Sequence, residues 1–474
     1  MYTAASVLFR NETDSIGTKS VPAEAYYGVQ SLRAQENFSI TGNRLEPEMI
    51  NSLAQLKKAC ARTNADAGVL DAKIAAAIEQ ACDQILTGAF HDQFIVDPIQ
   101  GGAGTSMNMN ANEVIANVAI ELLGGQKGDY VLVHPNDHVN YGQSTNDVIP
   151  TAGKMTTLVL LERLEATLHQ LSCALREKEA EFDGILKMGR TQLQDAVPIR
   201  LGQEFGAYAV AVDRGLRRIR MAKEEMYTIN MGGTAVGTGI NADENYFEHI
   251  TQTLSALTGM PFRQAANLID ATQNIDSFAA VSGALRNCAV AISKIANDLR
   301  LMSSGPCTGF GEINLPARQN GSSIMPGKVN PVIPEAVSQA AFKIAGNDVT
   351  IAMAVEAGQL ELNAFEPVVF ESLFQSINIL NHAVQTFINN CINGITANEA
   401  RCKELLDSSV GMVTALCPHI GYVRAAKLAK EALAKKIPIR TLILEQKILT
   451  QAELDMVLDA YAMTQPGISG RELL

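Results

Sequence analysis

Two serines, a lysine and an asparagine stand close together in the stretch GSSIMPGKVNP at 321–331. Ser322 and Ser323 offer hydroxyls, Lys328 an ammonium and Asn330 an amide. Glycine permits unusual backbone angles and proline prevents regular helix, so the stretch is expected to be an irregular loop. Such a loop can turn N–H groups, a cation and an amide onto one anion. A plain surface turn has the same composition. A second stretch, GGAGTSMNMN at 101–110, sets Thr105 and Ser106 behind a run of glycines. It lacks the GKS/T ending of a nucleotide phosphate loop, and no clear strand precedes it, so a carboxylate suits it as well as a phosphate. A third, Gln143 to Asn146, lines up Gln143, Ser144, Thr145 and Asn146. Four short polar groups in succession offer several donors, and the same residue types also cap helices and hold turns. His134 and His138 have the spacing of a metal pair, but Pro135 interrupts a helix there and no third ligand is near, so no metal site is expected.

These segments need elements to hold them. Leu158, Leu161, Leu164, Leu168, Leu171 and Leu175 repeat at spacings of three and four, as do Ile275, Phe278, Val281, Leu285, Cys288, Ile292, Ile295 and Leu299. Each run lays an apolar stripe along several helical turns. Both are longer than an average helix, so a mainly α chain with a bundle of long helices is expected. A third helix is read over 198–227. A fourth starts at Pro334 and runs to about Met353, since proline suits the first helical position. The better strand candidates are 130–133 and 94–96, and strands do not alternate with helices, so no large parallel sheet is expected. Breaks fall at 134–150, at 231–239, at 321–331 and at 393–398. The expected domains are 1–146, a central helical domain 147–396 and a small C-terminal helical domain 397–474, since 474 residues exceed one core.

Composition narrows the partners. Hydrophobic residues make up 47% and charged residues 19%, a globular balance. The formal net charge of -12 argues against nucleic acid, which needs a basic face. An anionic substrate would therefore need local attraction inside its site. The opening residues show no basic segment leading an apolar run, so no leader is read. No uncharged apolar stretch of membrane-spanning length is seen, so no membrane span is expected. The eight cysteines are scattered without a CxxC pair, which suits reduced thiols filling the core of a cytoplasmic protein.

The stretch 321–331 resembles the signature GSSxMPxKxNP of the aspartase/fumarase superfamily at every fixed position. AYYGV at 25–29, GGAGTSMNMN at 101–110, QSTND at 143–147 and ALCPHIG at 415–421 are similar to further segments of that superfamily, so the likeness spans nearly the whole chain. The superfamily includes class II fumarases, aspartases, argininosuccinate lyases and adenylosuccinate lyases. The resemblance implies a three-domain, mainly α chain with a central long-helix bundle. It also implies a homotetramer whose sites are shared between subunits, and a reaction that needs no cofactor.

That reaction is elimination across a succinyl Cα–Cβ bond. A proton leaves Cβ, and charge builds on the neighbouring carboxylate as an aci-carboxylate, which only groups that favour the transition state can accelerate. By resemblance Ser322, rather than Ser323, is the general base. Thr105, Ser144, Thr145 and N–H groups of the Ser322–Ser323 turn hold the β-carboxylate. Lys328, Asn330 and Thr191 bind the α-carboxylate, and Asn146 lies near the leaving amine. Class II fumarases usually carry histidine directly after the threonine, where this chain has Gln192, while Glu335 matches the glutamate that works with that histidine. A neutral amide cannot carry a proton, so hydration should suffer and the lyases with large leaving groups fit less well. The resemblance therefore implies reversible deamination of aspartate to fumarate and ammonia, with class II fumarase as the alternative. A non-catalytic relative of the fold is the reading of a different class.

Overall fold

The structure, a computed structural model, describes residues 8–474. Residues 1–7, part of the segment read for a leader, lie outside the described residues. The chain is mainly α. It opens with an antiparallel hairpin, β1 (Phe9–Asp14) and β2 (Gly17–Pro22). Helices α1 (Val29–Asn37), α2 (Pro47–Asp66), α3 (Ala72–Leu86), α4 (Thr105–Leu122) and α5 (Thr145–Glu181) follow. A second hairpin, β3 (Leu186–Thr191) and β4 (Gln194–Arg200), leads into α6 (Leu201–Lys223). Then come α7 (Glu244–Thr258), α8 (Leu268–Gln273), α9 (Asp276–Met302), α10 (Val332–Glu356) and α11 (Glu366–Asn390), and short helices close the chain.

The periodic runs behave as their spacing predicts. All six leucines of 158–175 are buried along α5, and all eight apolar residues of 275–299 are buried along or just before α9. Helix α9 is apolar and long enough to cross a membrane by composition, but 56% of its most apolar window is buried inside the protein, as in a core helix.

Several expectations are corrected. The third helix begins at Leu201, because Pro198 lies in β4 and pairs with Met188. The fourth begins at Val332, so Pro334 sits within its first turn. Neither 130–133 nor 94–96 is a strand. At 94–96 the Ile95 N–H is taken by the Asn110 side chain at 2.8 Å rather than by a neighbouring strand. At 130–133 the chain turns tightly after Gly128 (φ 88°), leaving Val131 94% exposed. The break read across 134–150 ends early, since α5 starts at Thr145 and carries Pro150 inside it. Pro150 has no N–H for the Asn146 carbonyl. That carbonyl instead accepts from Asn230 Nδ2 at 2.9 Å, so the proline is tolerated. Among the described residues the sole parallel strand pairing is the short one between Thr228–Ile229 and Arg263–Gln264.

The chain forms two compact units. The first comprises the chain through Glu165 with Arg217–Asn287 and Phe342–Leu380. The second comprises Ala166–Leu216, Cys288–Ala341 and Asn381–Leu474. In the first, α2 packs on α3 and α7. Buried Glu113 of α4 accepts from the backbone N–H groups of Gly28, Gln30 and Ser31 at 2.8–3.1 Å, which fastens the N-terminus of α1. Buried Glu12 accepts from Val29 N at 2.9 Å on the same helix start. Such carboxylates satisfy N–H groups that a helix start leaves unpaired. Gly28 is required there, because a Cβ would stand 2.7 Å from both carboxylates. In the second unit the short C-terminal helices close over Leu416, Leu428, Ile439, Leu442, Ile443, Leu454 and Val457. Cys60, Cys82, Cys288, Cys391 and Cys402 are buried, Cys173 and Cys307 are exposed and Cys417 is half-buried.

Candidate active site

In the first unit two helix N-termini come together. The turn before α4 holds Gly102, Ala103 and Gly104 at φ 83°, 54° and 85°. A Cβ on Gly104 would stand 2.9 Å from the Ile149 side chain of α5, so glycine lets the two helix starts approach. Thr105 opens α4, is exposed, and donates its hydroxyl to Gly102 O at 2.7 Å. Thr145 opens α5, and Asn108 Nδ2 of α4 donates to its Oγ1 at 3.3 Å. Ser144 caps α5, its Oγ accepting from Asn146 N at 3.2 Å, and Asn146 donates its amide to Ala235 O at 2.7 Å. The capping reading of 143–146 thus holds for Ser144. The half-exposed Ser144, Thr145 and Asn146 remain available to an anion, beside N–H groups that favour negative charge.

Beneath them lies a cation that the sequence reading missed. Lys57 of α2 is fully buried and donates to Asn140 Oδ1 at 2.8 Å and Gln143 Oε1 at 2.9 Å. Asn140 Oδ1 also accepts from Asn108 and Asn112, both at 3.2 Å. Burial pushes the Lys57 ammonium down to about 8, with the charge of Asp147 opposing. It sets a buried positive charge in the same hydrogen-bonded network as Thr145, through Asn140 and Asn108. No motif in the sequence pointed to it; Asn108 and Asn112 are two of several polar residues in α4. His134 and His138 serve the backbone: His134 Nδ1 accepts from Asn136 N and Asp137 N at 3.2 and 3.1 Å, and His138 Nδ1 accepts from His134 N at 2.8 Å.

In the second unit Thr191 and Gln192 share the tip of the β3–β4 hairpin, with Thr191 opposite Gln194. Gln192 and Leu193 both adopt left-handed conformations, φ 54° and 61°, which two-residue hairpin turns require but which neither residue type favours. The root of the hairpin is anchored by a buried carboxylate. Glu312 pairs with Lys187 at 3.1 Å and Arg190 at 2.8 Å, and the Arg190 guanidinium lies 4.0 Å over the Phe310 ring.

The loop 321–331 is irregular, as expected. Ser322 Oγ accepts from Ile324 N at 3.2 Å and Met325 N at 3.0 Å. Asn330 Nδ2 donates to Gly321 O at 2.8 Å, closing the loop. A Cβ on Gly321 would fall 1.9 Å from Lys328 O, so only glycine fits. Lys328 and Ser323 are exposed on the same loop. Glu335, in the first turn of α10, faces Arg300 at 3.6 Å. Thr105, Ser144, Thr145 and Asn146 therefore come together in one unit. Ser322, Ser323, Lys328 and Asn330 share a loop of the other, with Thr191 and Gln192 on its hairpin, and neither unit alone holds the whole set.

Two helix starts lined with hydroxyls, and a serine hydroxyl receiving two N–H groups, fit the chemistry of an enzyme that eliminates across a carbon–carbon bond. The chain matches the lyase family over residues 17–346 and the fumarase C C-terminus over 412–465, and it belongs to the lyase family. An aspartate ammonia-lyase of Bacillus subtilis (strain 168) is 54% identical, covering 98% of each chain. A solved fumarate lyase:delta crystallin from Brucella melitensis, bound to cobalt, superposes with a TM-score of 0.94 at 47% identity, covering 97% of this chain and 100% of that one. A class II fumarase from Schistosoma mansoni gives 0.93 at 34% identity with the same coverage.

Proposed function

We propose that the protein is an aspartate ammonia-lyase, converting L-aspartate reversibly to fumarate and ammonia. The observation that carries this reading is the seat of Ser322, whose oxygen receives two backbone N–H groups. A serine hydroxyl is far too weak an acid to serve unaided as a base, and N–H groups aimed at its oxygen favour the alkoxide. Ser322 removes the Cβ proton. Thr105, Ser144 and Thr145, with N–H groups of the Ser322–Ser323 turn, hold the β-carboxylate while it gains charge. The helix starts behind the hydroxyls and the buried Lys57 add to that stabilisation. Electrons of the aci-carboxylate then return to form the carbon–carbon double bond, and the amine leaves beside Asn146 and Gln192. Lys328, Asn330 and Thr191 bind the α-carboxylate, whose charge does not change. No cofactor takes part in these steps.

A homotetramer with sites shared between subunits, a cytoplasmic location, and domains bounded near 146 and 396 complete the proposal. Neither nucleic acid nor a membrane is a partner. Gln192 separates this reading from a fumarase. A protonated amine leaves far more readily than hydroxide, so an amide suffices here, whereas dehydration of malate needs a proton carrier. Aspartate should be deaminated at least about a hundredfold faster than malate is dehydrated, the lower end of what general acid–base catalysis contributes. Absorbance of fumarate formed from each substrate measures both rates. Comparable rates would assign the chain to the fumarases.

A further inference from the structure

Asp147 is wholly buried, three residues beyond the cap of α5, and no step above uses it. Its Oδ1 accepts from Ser144 N at 2.9 Å. Its Oδ2 accepts from two N–H groups of the 231–239 loop, Gly232 N at 3.2 Å and Thr234 N at 3.0 Å. One carboxylate thus joins a substrate segment to a loop 85 to 87 positions away in the chain. The junction is doubled, because the Asn146 amide donates to Ala235 O at 2.7 Å and Asn230 Nδ2 donates back to Asn146 O at 2.9 Å.

The loop is strained where it is clamped. Thr234 has φ 52° and is 4% exposed. A β-branched residue in the left-handed region is a backbone outlier, and such conformations persist only when their surroundings over-determine them. Its buried hydroxyl also lacks a partner. Fold economy would place glycine here, as at Gly232 and Gly237, whose φ values are 91° and 90°.

We propose that Asp147 is a positioning residue for the elimination: its carboxylate fixes the Ser144–Asn146 hydroxyls and amide against the 231–239 loop, holding them in the geometry that receives the aci-carboxylate. The inference rests on the reading of Ser144 and Thr145 as groups that hold the β-carboxylate. An amide in place of the carboxylate keeps one acceptor oxygen. It can therefore serve Ser144 or the loop but not both, and its NH₂ faces N–H groups.

The test uses Asp147→Asn and the wild-type enzyme. Hydrogen exchange read on peptides covering 144–148 and 231–239 should quicken in both segments of the variant, although only one contains the substitution. The kcat for aspartate should fall about a hundredfold, the cost of a misplacement near 1 Å, with KM moving less than threefold. A nitronate analogue of the aci-carboxylate should lose affinity in step with kcat. Simple partial unfolding would instead lower the active fraction and leave the analogue's Kd unchanged. Should the variant not fold, the wild type decides: binding the nitronate should slow exchange at 231–239 as well as at 144–148. Unchanged exchange at 231–239 in these measurements, or a folded variant whose kcat stays within threefold of wild type, overturns the inference. Wild-type enzyme that neither deaminates aspartate nor binds the nitronate would instead overturn the proposed function, and the exchange of Asp147→Asn would still report on the clamp.

Discussion

The two serines of the 321–331 loop have unequal surroundings. Ser322 Oγ receives two N–H groups, an arrangement that favours an oxyanion on that atom before any substrate arrives. Ser322→Ala should lower kcat by about 10²–10⁴, the range of general-base contributions, with little change in thermal unfolding because a half-buried hydroxyl on an irregular loop packs against little. Ser323→Ala should cost far less. Steady-state assays on both variants check the ordering, and a larger loss for Ser323→Ala would reverse it. Lys328→Ala should behave differently again. In its proposed place at the α-carboxylate, whose charge does not change, that lysine would bind ground and transition state alike, and its loss should raise KM more than it lowers kcat. Lys57 belongs to the same scale. It was invisible to motif reading because a lysine in an amphipathic helix reads as a solvated charge, whereas Asn140 and Gln143 fold over it to make a buried cation.

At the scale of elements, the long helices were legible because an apolar stripe at spacings of three and four has one physical solution, and every residue named on α5 and α9 is buried. The hairpin β3–β4 was not. Its strands are short and carry Lys187, Arg190 and Arg200, whose charges are paired by Glu204 and Asp183, which flank the hairpin, and by Glu312 from far along the chain. Local sequence does not encode such pairing. The loop 321–331 was legible as irregular from its glycines and prolines, and a serine hydroxyl commonly accepts from N–H groups two and three residues on, but that Ser322 rather than Ser323 does so follows from the path of the loop. The seat of α1 was equally hidden, and it makes a testable device. Burial, reinforced by the nearby charge of Glu12, pushes the Glu113 carboxyl up to about 7 against the donors around it. A carboxyl raised on folding binds its proton more tightly in the folded state. Its contribution is full below the ordinary value of 4.5 and is lost as pH rises through about 7, a difference of roughly 3 kcal/mol. Asp147, raised to about 6 by burial, acts in the same direction. Glu113→Gln should therefore be less stable at pH 5, because an amide faces the N–H groups, and its stability should fall less between pH 5 and 8 than that of wild type. Thermal unfolding at several pH values measures both, and parallel curves would show that Glu113 does not titrate in this range.

For the whole molecule, the net charge of -12 disfavours association through charge, yet apolar surface remains. Phe342, Val349 and Met353 lie on one face of α10 at 66%, 60% and 68% exposure, and Met221 near the end of α6 is 68% exposed. Large apolar groups repeating along one face of a helix mark a surface that another chain covers. A symmetric assembly that covers such faces can also complete sites from several copies. The proposed tetramer makes this measurable through two inactive variants, Ser322→Ala and Thr191→Ala. Unfolded together in equal amounts and refolded, they assort at random. Where a site draws Ser322 and Thr191 from different subunits, about one site in four receives both residues unaltered, so the mixture should regain about a quarter of wild-type activity. Refolded separately, each stays nearly inactive. Where each site draws both residues from one chain, every site keeps a defect and no activity returns. Sedimentation of the refolded mixture establishes that mixed tetramers formed, and mixed tetramers without activity, or an active monomer, would remove shared sites from the proposal.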